Sequence, residues 1–435
     1  MERFALSRMK EWKENENRKP LIIRGARQVG KTWIMKTFGQ QYFEKTAYVN
    51  FDNNARMKQV FEGDLDIERL VLAISAETGV SIEAENTLII FDEIQEVPKA
   101  LTSLKYFHEN APQYAIVAAG SLLGVALHQG TSFPVGKVDF LDLYPLNFRE
   151  FLCAMGEKQF VSMLDSCDMQ MVTVFKTKYI ERLREYYFVG GMPEVVKDFS
   201  EKKDYNRVRA IQKNLINYYQ QDFSKHAEIK LVPRLNLVWN SIPMQLAKEN
   251  KKYIYGQVRE GSRAKDFELA IQWLLDCGLI HKVQRIQKPD LPLKAYIDFD
   301  AFKLFLVDIG LLIAMTDLDA KVIIEGNKIF TEFKGSLTEQ YILQQLISDV
   351  GVIPYYYSTQ NSKGEIDFLV QGKTSVIPIE VKAEENLKAK SLKAFCEKYQ
   401  PSYAVRTSMS DYREQDWMTN IPLYAIKWIE NYVNQ

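Results

Sequence analysis

The sequence predicts an α/β multidomain chain, and three observations predict it. The apolar run Leu21-Ile22-Ile23 leads directly into Gly25–Thr32, GARQVGKT, and then into a helix-like segment. Asp92 and Glu93 close a second apolar run, Leu88-Ile89-Ile90-Phe91, sixty residues after Thr32. From about residue 300 onward, strand-like segments alternate with turns around GEIDFLV and IPIEVKA. Strands and helices in alternation mark a parallel sheet covered by helices on both faces. The expected order is a P-loop unit over 1–200 with a helical extension, a helical unit over 205–290, and a third α/β unit over 300–435.

The first element follows from what a triphosphate needs. Many donors must aim at its oxygens. Gly25, Ala26, Arg27, Gln28, Val29 and Gly30 form a loop in which the glycines let successive backbone N–H groups point inward, and the next helix adds its positive end. Lys31 should reach the β- and γ-phosphates, and the Thr32 hydroxyl should ligate Mg²⁺. Asp92 would hold the metal through water, and Glu93 would polarise the attacking water. The cofactors implied are ATP and Mg²⁺.

Two further strands should share that rim. Tyr114 to Ala119 is apolar and is followed by Gly120-Ser121. A strand inserted between the loop strand and the acidic strand would put Ser121 where a polar group senses the γ-phosphate. Ala47-Tyr48-Val49 reads as another strand, ending at Asn50-Phe51-Asp52. Ligands collect at the carboxyl ends of strands in open α/β sheets, so Asp52 is a further candidate.

Composition sets the class. Length suits two or three domains, and 46% apolar with 26% charged residues is ordinary for a soluble globular protein. Lys+Arg and Asp+Glu balance at 56 each, so no overall charge steers the molecule to nucleic acid or membrane. Cys153, Cys167, Cys277 and Cys396 show no metal spacing and suit a reducing cytoplasm. The charged N-terminus lacks an apolar signal core, and no run is long enough to span a bilayer.

Charge is nevertheless uneven. Residues 205–290 hold fifteen Lys/Arg against eight Asp/Glu. Leu235 to Lys248 reads as one helix. Arg263 to Asp276 reads as a second, with Phe267, Ile271, Leu274 and Leu275 at helical spacing and Gly278 as its stop. Leu279 to Val283 then reads as a strand, like the wing of a winged helix. Arg263, Lys265 and Gln272 would occupy the exposed face of the second helix, a pattern similar to winged helix-turn-helix DNA readers. The plainer alternative is a helical packing domain with a solvated face.

Earlier, Pro145 and Asn147 mark a turn and helix start, with Phe148 and Phe151 turned inward. Gly190-Gly191-Met192-Pro193 must be a sharp loop between helices. In the last unit, Thr338-Glu339 reads as a helix start. Gly364 to Val370 and Ile377 to Lys382 read as strands joined by a turn at Gln371-Gly372-Lys373-Thr374. An antiparallel pair would bring Asp367 close to Glu380 and Lys382, whose spacing of two puts them on one face. Carboxylates beside a lysine can hold Mg²⁺ and orient water against a phosphodiester, with Glu339 as a third acid. Asp followed by Glu-x-Lys resembles the restriction-endonuclease-like superfamily.

The ordered set GARQVGKT, FDEIQ, AAGSLLG, YPLNFREF, YYFVGGMPEVV, SRAKDFELAIQWLLDCGLI, LFLVDIGLL, GEIDFLV and IPIEVKA covers nearly the whole chain. It resembles a prokaryotic family that joins an AAA-type ATPase domain to a C-terminal domain of unknown function with a restriction-endonuclease-like end. The resemblance implies ATP binding. One departure stands before PLNFREF, where a Gly-Arg pair is expected and Gly136-Lys137 is found. Lysine offers phosphate a point charge rather than a fork. Arg149 and Arg184 are the candidate arginine fingers. The expectation is a cytoplasmic ATPase that switches its C-terminal domains and acts on DNA. Its rivals are an ATP-regulated nuclease and a scaffold ATPase whose C-terminal fold binds an unidentified protein partner. A homo-oligomer suits all three.

Overall fold

The structure is a computed structural model that describes residues 1–120, 124, 133–248, 251–325, 331–359, 364–383 and 389–435. The chain forms two compact units. One comprises residues 2–144 with Asp276–Leu279; the other comprises Met1, 145–275 and 280–435.

The first unit runs α1 (Ala5–Glu14), β1 (Leu21–Arg24), α2 (Lys31–Tyr42), β2 (Lys45–Asn50), α3 (Ala55–Glu62), α4 (Ile67–Thr78), β3 (Thr87–Asp92), α5 (Pro98–Asn110), β4 (Ala115–Ala119) and β5 (Asp139–Asp142). Its five strands lie in the order β2-β3-β4-β1-β5, all parallel. Every residue of β3 and β4 is buried, as expected when helices cover both faces of a parallel sheet. Phe51, Phe61 and Phe91 pack edge-on or tilted at centroid distances of 5.4 to 5.7 Å and fill one side of the sheet. Strand β4 lies between β1 and β3, the inserted position that the sequence predicts.

The second unit opens with α6 (Phe148–Ala154), capped as expected. The Asn147 side chain accepts from the Glu150 N–H, and Glu150 accepts from the Asn147 N–H. Phe148 and Phe151 turn inward. Helices α7 (Lys176–Val189) and α8 (Pro193–Lys202) are separated by the paired glycines. Gly190 has φ +73°, and a Cβ on it would stand 2.2 Å from Asp308 Oδ1. The Gly191 N–H donates to Asp308 Oδ2 at 2.6 Å, so the tight turn closes on a buried carboxylate.

Next come α9 (Tyr205–His226), α10 (Val232–Leu246), α11 (Ala264–Asp276), β6 (Ile280–Ile286), β7 (Ile297–Leu306), α12 (Ile309–Met315) and α13 (Thr331–Gln345). The last stretch holds β8 (Tyr355–Ser358), β9 (Glu365–Gln371), β10 (Val376–Val381), α14 (Lys390–Tyr399), β11 (Val405–Ser408), β12 (Arg413–Gln415) and β13 (Met418–Pro422). The strands form one eight-stranded sheet, β12-β13-β11-β10-β9-β8-β6-β7. The strand read as a wing is β6, paired antiparallel to β7 and parallel to β8. Arg263, just before α11, and Lys265 and Gln272 on it are exposed.

Thr338 does not start a helix. It lies inside α13, and its hydroxyl donates back to the Lys334 carbonyl at 2.8 Å, the bond a mid-helix threonine makes instead of a cap. The strand pair forms as expected: β9 and β10 are antiparallel with Phe368 opposite Ile379. Strand β11 then runs parallel to β10 after the α14 crossover.

Candidate functional site

The loop after β1 curls because its glycines and one glutamine permit it. Gly25 has φ +146°, and a Cβ there would meet the Leu143 carbonyl oxygen at 2.1 Å. Gln28 stands at φ 66° and Gly30 at φ 94°, the left-handed conformation at the mouth of α2. Lys31, the first residue of α2, folds back over the loop. Its Nζ donates to the Gly25 and Ala26 carbonyls, each at 2.9 Å. Lys31 is only 7% exposed, and burial pulls its ammonium down to about 8 against the favourable charges of Glu93 and Asp92.

Asp92, at the end of β3, gathers the polar groups of this rim. Its Oδ2 accepts from the Thr32 hydroxyl at 2.6 Å and from the Tyr48 hydroxyl at 2.9 Å. Its Oδ1 accepts from the Glu93 N–H at 3.1 Å. Glu93 follows at φ 52°, an uncommon conformation for a glutamate, and its Oε2 accepts from Gln95 Nε2 at 2.7 Å. These residues fit Mg-ATP. A buried ammonium held by its own loop's carbonyls, a hydroxyl joined to a buried carboxylate and a curled backbone suit a triphosphate with its metal.

The second unit gathers a different cluster, from β7, α13, β9 and β10. Asp367 Oδ2 accepts from the Val381 N–H at 2.7 Å. Burial and the neighbouring Glu339 charge push the Asp367 carboxyl up to about 7, against Lys303 and Lys251. Glu380 pairs with Lys382 at 2.6 Å, and its Oε2 accepts from the Leu392 N–H at 3.2 Å. Glu339 is buried and pairs with Lys251 through Oε1, while Lys303 Nζ stands 3.6 Å from Oε2. Burial pushes the Glu339 carboxyl up, but the two lysines outweigh it and hold it below the usual range. Among the described residues, no three His, Cys, Asp or Glu side chains converge as a metal site.

Three family models match the chain. Residues 17–152 match an AAA domain. Residues 180–322 and 334–426 match two domains of unknown function, DUF8612 and DUF4143. None of the curated proteins matches. Among solved structures, a Walker-type ATPase of Pyrococcus abyssi is 15% identical with a TM-score of 0.44, over 72% of this chain and 95% of that one. The Aeropyrum pernix ORC1 protein in complex with DNA is 14% identical with a TM-score of 0.27, over 72% and 91%. Cdc6p from Pyrobaculum aerophilum is 10% identical with a TM-score of 0.25, over 74% and 93%.

The AAA domain thus holds Lys31, Thr32, Asp92 and Glu93 together at one end of its sheet. Ser121 lies outside the described residues. Asp52 is exposed just past β2, with its N–H on Asn50 Oδ1 at 2.8 Å. Lys137 pairs with Glu109 of α5 at 2.9 Å, so its ammonium has a carboxylate partner. In the second unit Arg149 chelates Asp349 and also pairs with Asp165, and Arg184 donates to the Ile324 carbonyl at 3.3 Å.

Sequence reasoning missed three participants in the first unit. Tyr48 reaches Asp92 because β2 and β3 pair in register, Tyr48 beside Ile90. Only the strand order reveals this. Arg3 is buried and donates to the Val29 carbonyl at 3.1 Å and the Tyr144 carbonyl at 2.6 Å, bracing the loop from before α1. The third is the segment after α11. Cys277 is buried. A Cβ on Gly278 would stand 3.1 Å from the Ala26 nitrogen.

Proposed function

We propose that this protein is a Mg-dependent ATPase that uses nucleotide to switch its C-terminal region and that acts on DNA. The observation that carries the reading is the Lys31, Thr32 and Asp92 arrangement, each group held by a partner that a phosphate or a hydrated metal replaces. Lys31 would exchange the Gly25 and Ala26 carbonyls for β- and γ-phosphate oxygens, a gain because the buried ammonium then faces full charges. The Thr32 hydroxyl would ligate Mg²⁺, and Asp92 would hold it through water. Magnesium supplies neutralising charge on the phosphate oxygens. Glu93, with Gln95 fixing its carboxylate, would orient the attacking water. Tyr48 keeps Asp92 aimed.

DNA is favoured as partner by the basic excess over 205–290 and by exposed Arg263 and Lys265 at the start of α11. The meander β8-β9-β10, the α14 crossover and parallel β11 give an order similar to restriction-endonuclease-like domains, with Asp367 beside the β10 backbone. This favours a nucleic-acid-facing fold for residues 300–435. A homo-oligomer is in keeping with the reading, because AAA-type sites are commonly completed by a neighbouring subunit.

The test is phosphate release by the purified protein with Mg-ATP, with and without DNA, while DNA integrity is followed in the same tube. Turnover raised by DNA supports the reading. Turnover with cleavage would make the protein an ATP-regulated nuclease. Turnover indifferent to DNA would point to a scaffold ATPase and a protein partner. No phosphate release at all would sink the reading.

A further inference from the structure

The acidic cluster in the second unit has more lysine than a metal site can use. The Asp and Glu-x-Lys pattern accounts for Asp367, Glu380 and Lys382, and Lys382 is already paired with Glu380 at 2.6 Å. Two additional lysines come from elsewhere. Lys303 rises from β7 and Lys251 from the segment after α10.

Lys303 is 1% exposed, which is exceptional for a lysine. Its Nζ stands 2.5 Å from Glu365 Oε1 and 3.6 Å from Glu339 Oε2. It lies 4.8 Å from the centroid of the Tyr356 ring on β8. The ammonium is therefore enclosed by β7, β8, β9 and α13. A charge is buried this completely only where its partners compensate it.

Glu339 faces a lysine on each oxygen. Lys251 takes Oε1. Oε2 is buried without a hydrogen bond and faces Lys303. Mg²⁺ asks for oxygen ligands at about 2.0–2.1 Å around an octahedron. To reach Glu339 Oε2 it must come up against the Lys303 ammonium, 3.6 Å away in a buried setting that screens the repulsion weakly. Mg²⁺ does not fit beside Glu339 Oε2.

We infer that Lys303 takes the place of the divalent cation in the cluster of Glu339, Glu365 and Asp367, so that the native protein holds no metal there. Lys303 and Lys251 offset two of the cluster's carboxylate charges from within the protein. The region can keep the shape of a phosphodiester-cleaving fold while lacking the ion that cleavage needs. This inference is independent of the nucleotide site, and its failure would leave the ATPase reading untouched.

The experiment is Mn²⁺ binding to the full-length protein without nucleotide, by equilibrium dialysis and by the loss of the free-ion electron paramagnetic resonance signal. Wild type and Asp367→Asn are compared, so that any ion held near the P-loop cancels. The expected result is equal Mn²⁺ occupancy in the two. Lys303→Met should then acquire an extra ion and a melting temperature that rises with Mn²⁺. Lys303→Met leaves buried carboxylates uncompensated, so Lys303→Met/Glu365→Gln, which removes one charge of each sign, is measured alongside it. An ion present in wild type and lost in Asp367→Asn would overturn the inference. So would folded lysine variants that take up no more Mn²⁺ than wild type. If neither lysine variant folds, the wild-type comparison alone decides.

Discussion

At the scale of single residues, the nucleotide end of the AAA domain depends on atoms that are buried and already partnered. Lys31→Ala removes the side chain that donates to the Gly25 and Ala26 carbonyls, and it should weaken ATP binding by at least about tenfold and abolish measurable turnover. Calorimetric titration with a non-hydrolysable analogue checks the first and phosphate release the second. Asp308 makes a different prediction. It accepts from the Gly191 and Leu311 N–H groups, yet complete burial pushes its carboxyl up to about 6. Its unfolded counterpart ionises near 3.8. Above that value the unfolded chain loses its proton first, so this group's contribution to stability is intact below about pH 4 and falls as pH rises to about 6. The loss is roughly 3 kcal/mol. Urea midpoints measured across that window should fall with pH in wild type and fall less in Asp308→Ser. Residue identity was legible where chemistry demands contiguity. Lys31 and Thr32 sit in the loop that needs them, and Asp92 ends a strand. Tyr48, Arg3 and Lys303 were not legible, because a single tyrosine, arginine or lysine carries no spacing and acquires its role only from strand pairing or burial.

At the scale of elements, local rules were read well where side chains enforce them. Asn147 caps α6 by a reciprocal pair with Glu150. Asn147→Ala should cost about 1–2 kcal/mol, read as a lower unfolding midpoint, with Asn147→Ser recovering most of it. Gly278 ends α11 at φ +68°, as its position in the sequence implies. The start of α13 was misplaced because Thr338 looks like a cap, and only the helix before it shows that its hydroxyl bonds inward. The turn expected at 371–374 lies one residue later, because Gln371 still belongs to β9 and pairs with Val376, while β10, buried at every residue, has no alternation to fix the register by itself. The sheet membership of β6 was beyond local pattern. Its pairing with β8 joins residues some seventy positions apart, and nothing within seven residues encodes that.

At the scale of the molecule, charge and connectivity decide more than any motif. If the basic stretch over 205–290 meets DNA, Arg263→Glu/Lys265→Glu should lower affinity about tenfold or more and flatten the salt dependence by about two charges. Fluorescence anisotropy across a salt series measures both. Unchanged affinity would leave α11 as a packing helix with a solvated face. The order of motifs along the chain announced a nucleotide-binding part and a later α/β part. It concealed that Asp276–Leu279 folds with the first of them. Nearly 250 residues separate Ala26 from Gly278, and contacts across such distances leave no periodicity to read. That short segment makes the nucleotide module non-excisable. A fragment trimmed at residue 152, where the AAA match stops, would lose the Gly278 backbone that lies against Ala26. Such a fragment would carry every signature residue of an ATPase and still be a poor surrogate for one, with its phosphate loop open to water on a flank the intact chain keeps closed.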